Sequence, residues 1–122
     1  MNKKILLVED SPVIQHLTKR ILHLQNFNID TAKNGKIAIE KLSADTYDLI
    51  LLDINVPVMD GLTRTQKIRS HEEPSIRKIP IIAITGNAKN YSKSQYIDRG
   101  INDLLSKPLN YDLMVLMINK YI

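Results

Sequence analysis

Asp48-Leu49-Ile50-Leu51-Leu52-Asp53 sets four consecutive aliphatic residues between two carboxylates. An apolar run without polar interruption suits a strand covered on both faces, as in a parallel sheet. Working outward, similar short β-rich runs recur at Ile5–Val8, Ile81–Ile84 and Ile101–Leu105. A weaker strand is predicted over Asn28–Ala32, where interleaved polar residues indicate an edge position.

Helical patterns fill the intervals. Ile14, Leu17, Ile21 and Leu24 recur at helical spacing and predict one apolar stripe, with Ser11 as cap and Pro12 in the first turn. Ile37, Ala38 and Leu42 mark a second helix, and Leu62 to Ser70 a third capped by Asp60. Tyr91 to Arg99 predicts a fourth, stopped by Gly100 in a left-handed conformation. Asn110 caps a fifth, carrying Leu113, Leu116, Met117 and the closing Ile122, with Met114 and Met117 as core filling. Alternating strands and helices predict an α/β fold, a parallel sheet with right-handed crossovers and helices on both faces.

The chain has 122 residues, which at about 150 residues per domain predicts one domain over 1–122. Cysteine is absent, so disulfide scaffolds, thiolate zinc sites and cysteine nucleophiles are excluded. The longest apolar runs fall far short of the ~20 residues of a membrane helix, and the start lacks a signal peptide, so a cytoplasmic domain is expected. Lys and Arg number 17 against 13 Asp and Glu, but the cations are scattered and aromatic residues few, which argues against nucleic acid.

Ligands of open parallel sheets bind beyond the carboxyl ends of the strands. There the sequence places Glu9 and Asp10 after strand one, Asp53 at the end of strand three, Thr85 after strand four and Lys107 after strand five. Each has an ordinary structural role available, as a turn, cap or solvated residue. Together they pose a problem: three converging carboxylates repel one another unless a cation joins them. A few carboxylates completed by water suit Mg²⁺. Metal, lysine and hydroxyl then form a phosphoryl-binding site. Asp53, ending the most apolar strand, is the nucleophile candidate, since a carboxylate attacking phosphorus gives an aspartyl phosphate.

These residues, in this order, resemble the response-regulator receiver domain of two-component signalling, in particular the chemotaxis-type single-domain receiver. The similarity runs from about Lys3 to Ile122. It is carried by Leu7-Val8-Glu9-Asp10-Ser11-Pro12, the stretch Leu51 to Gly61, Ile81-Ile82-Ala83-Ile84-Thr85-Gly86 and Leu105-Ser106-Lys107-Pro108. The resemblance implies a flavodoxin-like doubly wound sheet of order 2-1-3-4-5 flanked by five helices. It implies that Asp53 accepts a phosphoryl group from a histidine kinase or histidine phosphotransfer protein. It implies that Glu9, Asp10, Asp53 and the backbone carbonyl of Asn55 hold Mg²⁺, that Thr85 moves to the phosphoryl group and that Lys107 pairs with it. The kinase is expected near Ser11–Gln15 and the loop after Pro108. A downstream protein is expected on the face of helices four and five, on a monomer or phosphorylation-dependent dimer. A cis Lys107–Pro108 peptide is implied too, and Asn55 and Asn87 fall where family members tune phosphoryl lifetime.

The sequence departs from the family at three places. Leu104 stands where Tyr or Phe is frequent, Gly86 where alanine is common, and the fourth helix is unusually polar at Asn90, Ser92, Lys93, Ser94 and Gln95. Setting aside Glu9, Asp10, Asp53 and Lys107 leaves 16 basic and 10 acidic residues, which suits an acidic partner surface and equally an ordinary solvated one. His16, His23 and His71 read as surface or half-buried residues.

Two other readings share parts of the pattern. A haloacid-dehalogenase-like phosphatase also uses a strand-end aspartate, but Asn55 cannot act as its general acid. A receiver-like interaction module that is never phosphorylated would keep the fold, yet it has no need of Asp10, Asp53, Thr85 and Lys107 together.

Overall fold

The computed structural model describes residues 3–54, 61–86 and 93–122. The apolar runs become five strands: β1 (Lys4–Val8), β2 (Asn28–Ala32), β3 (Leu49–Asp53), β4 (Ile81–Thr85) and β5 (Asp103–Ser106). All pair in parallel, in the order β2-β1-β3-β4-β5, with β2 at one edge as its interleaved polar residues predict. Six helices accompany them among the described residues: α1 (Pro12–Leu24), α2 (Gly35–Ala44), α3 (Gly61–Arg69), α4 (Pro74–Arg77), α5 (Lys93–Asp98) and α6 (Tyr111–Tyr121).

Every residue of β3 and β4 is buried, because each strand side chain meets a helix layer on one face or the other. Leu6, Val8, Ile50, Leu52 and Ala83 pack with Ala38 and Leu42 of α2, Ile68 of α3 and Tyr96 of α5. Ile5, Leu7, Leu49, Leu51 and Ile84 point the other way, onto Leu22 of α1 and Met114 and Ile118 of α6. Each such aliphatic side chain contributes about 1.5–3 kcal/mol on burial, so the paired cores hold the layers together.

The helix caps follow local chemistry. Ser11, Asn34 and Asn110 each accept a hydrogen bond from the backbone N–H three residues on, worth about 1 kcal/mol apiece. Gly100 closes the segment after α5 with φ of 100°, as a left-handed stop requires. The Lys107–Pro108 peptide is cis.

Several expectations need correction. The count of five helices omits α4, a single turn introduced by Pro74. In α1 the buried positions are Thr18 and Leu22, while Leu17 and Leu24 are exposed. The stripe is rotated because the Thr18 hydroxyl is satisfied by Tyr111 Oη at 2.9 Å, which lets a polar residue face the core. In α6 the core positions are likewise Met114 and Ile118, with Leu113 and Leu116 exposed. Strand five begins at Asp103 rather than Ile101, whose N–H instead closes a turn onto Tyr96. The Asp60 cap, Asn87, Asn90 and Ser92 lie outside the described residues, as does the start of the fourth helix expected at Tyr91.

Candidate functional site at the carboxyl rim of the sheet

Parallel pairing puts the ends of β1, β3, β4 and β5 on one rim, side by side. Val8 pairs with Leu52, Asp53 with Ile84 and Thr85 with Ser106, so the residues at these ends are neighbours across the sheet. Backbone hydrogen bonds extend the ladder beyond the strands: Glu9 N–H donates to Ala32 O, Ile54 N–H to Ile84 O and Lys107 N–H to Thr85 O. The rim is therefore rigid where the polar side chains begin.

Glu9, Asp53 and Thr85 are buried, and Asp10 is exposed. Glu9, Asp10 and Asp53 each present a carboxylate oxygen, all within 4.8 Å of one another. Lys107 reaches in from β5, its Nζ 2.8 Å from Asp53 Oδ2. Thus three carboxylates and the ammonium meet at one place, and Thr85 stands at the neighbouring strand end. Asn55, whose carbonyl the family resemblance adds, lies outside the described residues.

The electrostatics show what this cluster lacks. Burial, together with the Asp53 carboxylate alongside, pushes the Glu9 carboxyl up to about 7, against the lowering effect of the Ser11 N–H. Glu9 Oε1 accepts from Ser11 N–H at 3.1 Å, while its buried Oε2 meets no donor among the described residues. Burial disfavours the Lys107 ammonium, but its contact with Asp53 and the field of Glu9 and Asp10 outweigh that and raise its pKa. One ammonium thus faces three carboxylates. An orphaned carboxylate oxygen and two neighbours within one coordination sphere fit a hard divalent cation, whose oxygen ligands lie at about 2.0–2.6 Å.

Sequence reasoning missed one supporting residue. Gln15, in the first turns of α1, donates from Nε2 to the backbone carbonyl of Glu9 and so fixes the start of the loop carrying two of the carboxylates. Nothing in an exposed-looking helical glutamine signals this contact; only the return of α1 toward β1 does. His16 and His23 are exposed, and His71 Nδ1 accepts from Glu73 N–H at 3.0 Å, as their reading as peripheral residues anticipates.

Comparison with known proteins now bears on this geometry. The response regulator receiver domain profile matches residues 5–119, and the chain belongs to that family, the receivers of two-component phosphorelays. It is 39% identical over 121 residues to hybrid signal transduction histidine kinase M of Dictyostelium discoideum, covering 97% of this chain and 5% of that protein. It is 39% identical over 112 residues to the transcriptional regulatory protein KdpE of Staphylococcus aureus, covering 92% of this chain and 46% of that protein. The chain therefore spans less than half the length of either relative. Among solved structures, the receiver domain of a sensor histidine kinase from Pseudomonas aeruginosa superposes with a TM-score of 0.88 at 32% identity, over 99% of this chain and 98% of that one. That domain has a magnesium ion coordinated in its active-site cleft. No helix among the described residues is long and apolar enough to cross a membrane.

Proposed function

We propose that this domain is a phosphorylation-driven switch in which Asp53 takes a phosphoryl group from the phosphohistidine of a histidine kinase or histidine phosphotransfer protein. The observation that carries this reading is the Asp53 carboxylate, held at 2.8 Å by Lys107 inside the Glu9–Asp10–Asp53 cluster. An Asp53 oxygen attacks phosphorus, the phosphorus–nitrogen bond breaks, and the imidazole leaves with its electron pair and takes up a proton. A bound Mg²⁺, held by Glu9, Asp10, Asp53 and the Asn55 carbonyl, supplies charge neutralisation for the incoming phosphoryl oxygens. Asp53 is only 2% exposed, so the Lys107 ammonium moves off Oδ2 and onto the phosphoryl oxygens as the group arrives. Its side chain is 32% exposed and free to make that move.

Thr85, beside Asp53 on β4, supplies a hydroxyl to the phosphoryl group, and the resulting shift biases a two-state equilibrium toward α5 and β5. Leu104, half-buried against the α2–α5 core, occupies the place where relatives often carry a ring, so packing rather than ring rotation conveys the shift. The kinase side is assigned to the start of α1, where Val13 and Leu17 are exposed, and the downstream protein to α5 and α6, where Ile97, Leu113 and Leu116 are exposed. The domain works in the cytoplasm as a single unit over 1–122, alone or as a phosphorylation-dependent dimer. It assists its own phosphorylation and slow dephosphorylation without turning over a separate substrate.

Intact-mass measurement after exposure to Mg²⁺ and acetyl phosphate, and to a phosphorylated histidine kinase, tests this. The expected result is a gain of one phosphoryl group, abolished by Asp53→Asn and by chelation. An unchanged mass with both donors would leave a silent interaction module, and steady hydrolysis of a phosphomonoester would favour a phosphatase. Amide spectra with beryllofluoride should shift around Thr85 and Leu104; unmoved resonances there would sink the switch.

A further inference from the structure

The end of the sheet opposite Asp53 carries a groove of 450 Å³ that the phosphoryl chemistry does not use. It lies where α3 ends, where α4 leads into β4, and where α5 leads into β5. Arg69 forms its base. The Arg69 Nε donates to Gly100 O, Nη1 to Arg77 O and Ile79 O, and Nη2 to Gly100 O and Asn102 Oδ1, at 2.7–2.9 Å. All of these acceptors are neutral. The guanidinium is fully hydrogen-bonded, yet its charge is not compensated.

Arg77 and Lys78 add two more cations on the rim, at the end of α4. Arg77 has only long contacts, from Nη1 to His71 O and Glu72 O at 3.4 Å. No ion pair among the described residues joins Arg69, Arg77 or Lys78 to a carboxylate. Beside them lies apolar surface: Ile97 of α5 is 47% exposed, and the Tyr121 ring of α6 lines the same groove. No carboxylate lines the groove, although Glu72, Glu73 and Asp98 are exposed nearby in the chain; Asp103, next after Asn102, is buried and engaged by the Tyr121 hydroxyl at 3.0 Å.

We infer that this groove is a docking site for an acidic peptide segment of a partner protein, one that presents carboxylates to Arg77 and Lys78 and an aliphatic side chain to Ile97 and Tyr121. A simple inorganic anion would leave the apolar part wet. A nucleic acid would need a free aromatic face for stacking. Tyr121 is the single aromatic residue lining the groove, too little for a run of stacked bases. An acidic, partly aliphatic strand matches both halves of the surface, and it agrees with the excess of basic residues outside the phosphoryl site. Strands of five residues span about 17 Å, so a segment here does not block Asp53.

The test uses unphosphorylated protein without Mg²⁺, so its outcome is separate from that of the phosphoacceptor reading. The probes are a short fluorescein-labelled peptide alternating glutamate with leucine, its glutamine counterpart, and an oligothymidine of matched charge. Saturable binding of the glutamate peptide is expected, weakened about 10-fold or more by Arg77→Glu with Lys78→Glu, a reversal of charge on the groove rim that alters steering and contact together. Lys33→Glu with Lys36→Glu, the same reversal on exposed residues elsewhere, should leave binding within about twofold, since salt screens charges beyond about 10 Å. Backbone amides of Ile97, Asn102 and Tyr121 should shift on titration. Equal loss in both variant pairs, tighter binding of oligothymidine, equal binding of the glutamine peptide or absence of saturation would each overturn the inference.

Discussion

Lys107 Nζ sits 2.8 Å from Asp53 Oδ2 although 54 positions separate the two residues, so the last strand crossover delivers the cation to the carboxylate that ends β3. The lysine both neutralises the acidic cluster and competes with any cation placed there. Lys107→Met should tighten Mg²⁺ binding about fivefold, measured by calorimetry, because one repelling charge is lost at close range. Phosphoryl gain from acetyl phosphate should fall on the order of 100-fold, as for other deletions of a charge-stabilising donor. Weaker Mg²⁺ binding in the variant would contradict this account of the ammonium.

Two glycines make opposite predictions. A Cβ on Gly35 would stand 2.0 Å from Arg64 Nε, so the fully buried Arg64 side chain would have to shift. Gly35→Ala should cost about 2–3 kcal/mol, the scale of overpacking a filled core. A Cβ on Gly86 would meet only Lys107 Cδ at 3.7 Å, an ordinary contact. Gly86→Ala should therefore leave stability unchanged or raise it by up to about 1 kcal/mol through the unfolded chain. Urea unfolding of the two variants checks both; equal destabilisation would refute the contrast.

Arg69 binds two stretches of chain, at Arg77–Ile79 and at Gly100–Asn102, chiefly through backbone carbonyls. Arg69→Leu should lower stability by roughly 3 kcal/mol, since several half-buried acceptors lose their partners at once. Gly100→Ala should lower it by more than about 1 kcal/mol, because φ is 100° and the added Cβ would lie 2.9 Å from Arg69 Cγ. Thermal melts that leave either variant at the wild-type Tm would contradict this.

The edge strand carries the acid sensitivity. Partial burial raises the Asp30 pKa, but hydrogen bonds from Tyr47, Lys41 and the Thr31 N–H outweigh it and hold the carboxyl below 3.8. A folded pKa below the unfolded value gives stabilisation that is present above the unfolded pKa and lost as pH falls through the folded one. The side chain is 36% exposed, so solvent screening limits the gain to about 1 kcal/mol. Stability of the wild type should fall below about pH 4 more steeply than that of Asp30→Asn, with the two curves converging in acid. Parallel curves from pH 7 to pH 3 would reject the assignment.

The strand runs were legible because β3 and β4 are covered on both faces, which leaves no room for polar interruption between Leu49 and Leu52 or Ile81 and Ile84. The rim residues followed from the position of each run's end. Helix faces were less legible. Leu17 and Leu24 follow helical spacing as well as Leu22 does, and the choice between them rests on Thr18 meeting Tyr111, a contact 93 positions apart. α4 was missed because four residues carry no periodicity. The basic groove was invisible for a related reason: Arg69, Arg77, Ile97 and Tyr121 come from four separate helices and share no local pattern.

β3 and β4 offer water almost no side chain, and this restricts where novelty can arise in such a protein. Substitutions that recruit a different listener must fall on the outer shell of helices and turns, because any change along β3 or β4 disturbs the keel on which the acidic rim is mounted. A lineage can thus rewire its conversations freely while the means of receiving a message stays untouched.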